Sequence, residues 1–365
     1  MLENNCMEKN IKICISGGHL TPALAVIDEL IKVHPNWKII FIGRTQEQGE
    51  IRKRNLQFFA ITAGKLQRDI SVQTIISFVK IPFGFVQSFL RILKERPSCI
   101  LSFGGYISLP VGFAGWLLGV PVITHEQTHV LGLANRLMLP FVDYCLLSNK
   151  DPKYEDKEKF RFTGLPIRPE ITHPSKTLSF LVPPRLPIIY VTGGSTGAVS
   201  MNEFIFPIIS SLISRAVVIH QTGTLSIEKA KEIKQKLPKN IQSRYIPISY
   251  IPSVDVGWIM HHMSLIVGRS GGNTVAETAM VQKPAVFIPL PWSAQQEQEI
   301  NAHWYEGIGN ASIINQEKGT SKDLQKTIEK VLQGKSEKLI AKKILHNAAA
   351  DIIQYIELLV AHDEQ

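Results

Sequence analysis

The stretch KICISGGHLTPALAVIDEL, residues 12–30, decides the fold. Ile11, Ile13 and Ile15 alternate as in a strand, Gly17 and Gly18 make a tight turn, and from Pro22 onward Leu24, Ile27 and Leu30 recur at helical spacing. Strand, glycine turn and helix in this order open a nucleotide-binding α/β fold. A dinucleotide fingerprint needs G-x-G-x-x-G with a ribose-binding acid about 20 residues on. Here a histidine follows the glycine pair, which argues against a nicotinamide-dependent dehydrogenase and makes the role of His19 the question.

Working outward, short apolar runs at 38–42, 98–102, 120–124 and 143–147 alternate with helical patterns, as in a parallel sheet. The proline-rich stretch GLPIRPEITHPSKTLSFLVPPRLP, 164–187, then breaks the pattern. It restarts with IIYVTGGSTGAVSMNEFI, followed by strands at 216–220, 244–248, 264–268 and 285–289. At 365 residues the chain exceeds one ordinary core. The expectation is two doubly wound α/β domains, 1–167 and 187–339, joined by a linker at 168–186 and facing one another across a cleft. A terminal helix over about 340–362 is expected to pack back on the first domain.

A formal charge of +9 and a pI near 9.3 imply an anionic partner: nucleic acid, nucleotide phosphates or an anionic membrane face. Cys6, Cys14, Cys99 and Cys145 show neither metal spacing nor a disulfide framework, so a reducing cytoplasm is expected. MLENNCMEKN at the start has no apolar core of a secretory signal. Residues 97–124 carry no charge, but glycines and prolines divide them into strand, turn, helix and strand rather than a membrane span.

Three glycine turns follow strands: SGGH at 16–19, FGGYIS at 103–108 and TGGSTGA at 192–198. Such turns expose backbone N–H groups and the positive end of a helix, and so suit phosphate. Gly17, Gly18, Gly104, Gly105, Tyr106, Gly193 and Gly194 are therefore candidate positions for a donor or an acceptor. In GRSGGNTVAE, 268–277, a carboxylate at Glu277 can accept from both hydroxyls of a ribose; alternatively Thr274 and Glu277 form a capping box. Gln295, Gln296, Gln298 and Asn301 offer amides to a sugar rim or simply decorate a solvated helix start. THEQTH, 124–129, offers His125, Glu126, Thr128 and His129, but adjacent side chains on a strand point apart and do not converge on a metal. Arg168 lies at the domain junction, where a guanidinium can clamp a diphosphate bidentately or be an ordinary linker charge.

ISVQTIISFVKIPFGFVQSFLRILKE, 70–95, interleaves Phe, Ile and Leu with Lys80, Arg91 and Lys94, close behind Lys65 and Arg68, and is interrupted by Pro82 and Gly84. It suits an anionic membrane interface or a pair of helices packed on the sheet.

Taken in order, SGGHLTPALAV, GKLQR, SFGGYISLPVGFAGWLLGVPVITHEQ, TGLPIR, TGGSTGA, GRSGGNTVAE and EQEINA resemble the MurG family of GT-B glycosyltransferases, the membrane-associated N-acetylglucosaminyltransferases of peptidoglycan synthesis. The resemblance implies a UDP-N-acetylglucosamine donor on the C-terminal domain and a lipid I acceptor on the N-terminal domain. The product would be lipid II, formed with inversion and without a required metal or other cofactor. It further implies a peripheral position on the cytoplasmic face of the membrane, no nucleic-acid partner, and company among cell-wall synthesis proteins. His19 matches the family histidine and is the expected base. Ile251 would meet uracil, Glu277 the ribose, and Ser195 and Arg168 the diphosphate. Gln298 would reach the sugar, and the backbone of Gly272, Asn273 and Thr274 would steady the leaving group. The sequence departs from the pattern at Cys14, Ile15 and Ser16, where the family has two glycines and threonine, and at Thr128, Leu165 and Glu297. A transferase for another lipid, a UDP-N-acetylglucosamine epimerase and a noncatalytic nucleotide-sugar-binding scaffold are the alternative readings.

Overall fold

The computed structural model describes residues 11–62, 72–194, 197–308, 311–334 and 348–362. These form two compact units, one running to Arg168 and including the helix Ala348–His362, the other beginning at Pro169.

The first unit holds seven strands: β1 (Lys12–Ser16), β2 (Lys38–Gly43), β3 (Gln57–Ala60), β4 (Cys99–Ser102), β5 (Val122–Glu126), β6 (Tyr144–Leu147) and β7 (Phe160–Phe162). All pair in parallel, in the order β3-β2-β1-β4-β5-β6-β7. Because neighbouring strand residues point to opposite faces, Ile13 and Ile15 meet Val26, Ile27 and Leu30 of helix Leu20–Val33, while Cys14 joins Ile100, Val111 and Ala114 beneath. Ile352, Ile353 and Ile356 of the terminal helix complete the first face. The start expected for that helix, 340–347, lies outside the described residues.

The second unit holds β8 (Ile188–Thr192), β9 (Val217–Gln221), β10 (Tyr245–Ile248), β11 (Leu265–Gly268), β12 (Ala285–Phe287) and β13 (Ala311–Ile313). Their order is β10-β9-β8-β11-β12-β13, again all parallel. In both sheets the direction of winding reverses beside the first strand, between β1 and β4 and between β8 and β11. At such a reversal the loops leaving the strand ends diverge and open a crevice for ligand.

Two local expectations are corrected. Helix Val72–Glu95 runs through Pro82 without a break. Its packing on helix Ser108–Leu117, with Phe85 5.3 Å from Phe113, offsets the hydrogen bond that proline cannot make, and the missing Cβ of Gly84 lets the Thr62 carbonyl come close. The proline-rich stretch is also less open than its composition predicts. It carries a short helix, Pro169–Thr172, and Ser179 donates from its N–H and hydroxyl to Asp255 at 3.0 and 2.5 Å.

Candidate functional site

At the reversal of the first sheet, the turn after β1 and the turn after β4 are packed backbone to backbone. The Gly18 N–H donates to the Gly104 carbonyl at 2.8 Å, and the Phe103 N–H to the Ser16 carbonyl at 2.7 Å. A Cβ on Gly17, whose φ is +149°, would stand 2.7 Å from the Phe103 nitrogen; one on Gly105, φ +76°, would stand 3.1 Å from the Gly18 Cα. These glycines are needed for close approach. The interlock leaves His19 as the N-cap of helix Leu20–Val33, with its side chain open to solvent and, among the described residues, without a hydrogen-bond partner. The helix thus begins two residues before the expected Pro22.

His19 lines a concavity of about 210 Å³ with Gly104, Tyr106, Glu126, Gly132 and Asn135. Crowding by protein lowers the imidazole pKa below its ordinary 6.5; the Glu126 carboxylate opposes this and the Arg44 guanidinium adds to it. Glu126, in contrast, is fully engaged. It accepts from the Thr128 N–H at 3.1 Å, the Gly132 N–H at 2.8 Å and Asn135 Nδ2 at 2.8 Å. The Thr128 hydroxyl lies 2.9 Å from Glu126 and 2.7 Å from the Val130 carbonyl, with one proton for both. His125 points the other way, its Nε2 2.9 Å from the Gly164 carbonyl, and burial pushes its pKa down to about 4. His125 and Glu126 therefore do not converge, as the strand geometry requires.

Arg44 and Asn135 are site residues that motif reading missed. Arg44 grips Glu47 through Nε and Nη2, at 2.8 and 2.6 Å, and reaches the Tyr106 hydroxyl at 3.5 Å. Asn135 was findable as a polar residue on the buried side of the apolar stretch LGLANRLM.

In the second unit the loop after β8 is held from below. Gln221 Nε2 donates to the Gly194 carbonyl at 2.8 Å, and the Gly194 N–H donates to Thr192 Oγ1 at 3.1 Å. Gly194 has φ +87° and open space where a Cβ would be, so its conformation rather than crowding requires glycine; Gly193 lies against Ala198. Ser195 falls outside the described residues. Across the sheet reversal, helix Gly272–Met280 begins with Gly271 as N-cap. Thr274 is thus the third helical residue, its carbonyl accepting from Thr278, and the capping box is not formed. Gly272, Asn273 and Thr274 make the first helical turn, whose N–H groups suit an anion. Glu277 sits one turn further in and is buried.

Gln298 accepts from the Leu290 N–H at 3.0 Å through Oε1, so its Nε2 is the amide group available to a ligand. Asn301 is not on a sugar rim: it is buried and donates to the Ser270 carbonyl at 3.1 Å. Gln295 and Gln296 take left-handed conformations, φ 54° and 56°, and turn the chain into helix Glu297–Ile308. Ile251 is buried just before helix Ser253–His262, and Arg168 is half-buried at the end of the first unit.

Residues 13–146 match the glycosyltransferase family 28 N-terminal domain, and 188–356 its C-terminal domain. The chain belongs to glycosyltransferase family 28. A family 28 relative from Bacillus cereus, named UDP-N-acetylglucosamine--N-acetylmuramyl-(pentapeptide) pyrophosphoryl-undecaprenol N-acetylglucosamine transferase 2, is 32% identical over 325 residues, 87% of this chain and 89% of its own. A Treponema denticola enzyme of that name, without the numeral, is 33% identical over 82% of this chain and 81% of its own. Acinetobacter baumannii MurG superposes with a TM-score of 0.69 at 22% identity, over 95% of this chain and 99% of that one. The UDP-GlcNAc 2-epimerase of Methanocaldococcus jannaschii superposes with 0.64 at 13% identity, over 95% and 99%. These structures share the GT-B fold of two parallel-sheet α/β domains, and family 28 membership makes the chain a glycosyltransferase.

Proposed function

We propose that this chain transfers N-acetylglucosamine from UDP-N-acetylglucosamine to lipid I, giving lipid II with inversion at the anomeric carbon. The observation that carries the reading is His19, a histidine at the first sheet reversal without a hydrogen-bond partner among the described residues, in a chain whose relatives are named for this transfer. A neutral imidazole can take the proton from the acceptor hydroxyl as its oxygen bonds to the anomeric carbon and the bond to UDP breaks. Glu126 is poorly suited to that task because three N–H groups already donate to its carboxylate. Its role is to hold the Thr128–Asn135 loop beside the concavity, with Tyr106 and Gly104 as the acceptor-side lining.

The donor is assigned to the second unit. Ile251 lies at the uracil, Glu277 at the ribose diol, and Gln298 Nε2 at the sugar. The first turn of helix Gly272–Met280 is assigned to the diphosphate, where negative charge grows as UDP leaves, and the resemblance assigns Ser195 and Arg168 to the same group.

The acceptor is a lipid, and the first unit offers a surface for it. Phe83, Val86, Leu90 and Leu93 are exposed along one side of helix Val72–Glu95, with Trp116 and Leu117 on the neighbouring helix. Among the described residues no helix is long and apolar enough to cross a membrane. The reading is therefore peripheral attachment at the cytoplasmic face, through apolar side chains and cations such as Lys94. Arg91 contributes little free charge, because it lies 3.7 Å over the Phe59 ring and 3.4 Å from Glu95. Purified protein is expected to move labelled N-acetylglucosamine from the UDP sugar onto a lipid I analogue. Conversion of the UDP sugar to its C2 epimer without transfer, or binding without turnover, would refute the assignment.

A further inference from the structure

We infer that Arg269 is a buried positive charge whose counter-ion is the diphosphate of a nucleotide held in the second unit, so that it sets preference for charged over uncharged nucleoside ligands. The inference rests on the donor assignment above and concerns a side chain that this assignment leaves unused.

Arg269 is 5% exposed, yet every hydrogen-bond partner it has among the described residues is neutral. Nη1 donates to the carbonyls of Ile288 and Pro289 at 2.8 and 3.1 Å; Nη2 donates to Ser200 Oγ at 2.9 Å and Gln316 Oε1 at 2.6 Å. Nε is buried and, among the described residues, has no partner. Among the described residues no carboxylate pairs with it, and burial lowers its pKa to about 10. A guanidinium removed from water without a carboxylate is costly, and a fold that needed only structural hydrogen bonds could meet these acceptors with a neutral amide.

The position of the charge explains the cost. The Arg269 N–H donates to the Thr192 carbonyl at 3.2 Å, at the start of the glycine loop, and Nη2 holds Ser200 just beyond its end. Arg269 also directly precedes Ser270 and Gly271, the N-cap of helix Gly272–Met280. It thus underlies both backbone elements suited to phosphate. Nη1 and Nη2 are spent on protein and Nε is buried, so it acts as a positioning charge through low-dielectric surroundings rather than by touching the ligand.

Gln316→Glu provides the decisive test, because it is nearly isosteric and places a carboxylate against Nη2. Titration calorimetry of the full chain with UDP and with uridine is expected to show UDP weakened on the order of tenfold, uridine unchanged within about twofold, and a melting temperature equal to or above that of the parent. Arg269→Gln should lose the preference for UDP in the same way, while Arg269→Lys should keep most of it. Unchanged UDP affinity in Gln316→Glu, or equal loss for UDP and uridine, overturns the inference. If the parent protein fails to bind UDP in preference to uridine, the donor assignment itself is wrong.

Discussion

The glycine turns that open the two units look alike in sequence, SGGH against TGGSTG, and are built for different purposes. In the first unit the glycines are consumed by packing: Gly17 and Gly18 lie against Phe103, Gly104 and Gly105, and the next residue, His19, is thereby fixed at the sheet reversal. In the second, Gly194 faces open space and is suspended from Gln221, so its backbone is presented rather than buried. A strand followed by two glycines therefore specifies a tight turn in both cases, but only the surroundings determine whether the turn serves a neighbouring loop or a ligand.

That contrast can be broken by substitution, beginning with the largest effect. His19→Ala is expected to lower kcat for transfer by about 10²–10⁴-fold while changing UDP-sugar affinity by less than about threefold; comparable losses in both would put His19 in donor binding instead. The parent acid limb of kcat/KM should lie below pH 6.5, since activity needs neutral His19 and is lost as pH falls through its lowered pKa. A pH–rate profile checks this, and the limb should vanish in the alanine variant. Gly17→Ala forces a Cβ into the Phe103 backbone and should cost about 1–3 kcal/mol of stability, seen as a lower melting temperature. Gly194→Ala meets only the cost of a left-handed alanine, about 1–2 kcal/mol, and should be felt mainly in donor affinity. A larger melting-temperature loss for Gly194→Ala would reverse the comparison. The smallest effect concerns the lipid surface: Lys94→Gln should weaken binding to anionic vesicles by roughly fivefold, about 1 kcal/mol, measured by co-sedimentation at fixed salt.

The central strands were legible because parallel strands buried on two faces leave unbroken apolar runs, as in KIIFI and AVVIH, whereas the places where the strand order reverses were not. Strands β3, β7 and β13 were not, because QFFA, FRF and ASI are three or four residues long, sit at or beside a sheet edge and are only partly buried. The site was legible where glycine or histidine interrupts the pattern. It was not where a polar side chain works from underneath, as Asn135, Gln221 and Arg269 do, since each lies within or beside an apolar stretch and only three-dimensional neighbours reveal what it holds. The capping box at Thr274 failed for a related reason: Gly271, not Thr274, has the extended backbone that starts the helix.

The helix Ala348–His362 gives the molecule an order of assembly. Ile352, Ile353 and Ile356 join the apolar cluster formed by helix Leu20–Val33 and by Cys99 and Leu101 of β4, yet a ribosome must translate the whole second unit before it makes them. The first unit consequently emerges with one face of its sheet only partly covered, by helix Leu20–Val33, whereas the second has its strands and covering helices within one continuous stretch. A nascent chain released before Ala348 would carry the uncovered apolar side of helix Leu20–Val33 and β4 into the cell, which makes this helix the point at which synthesis and a closed first unit coincide.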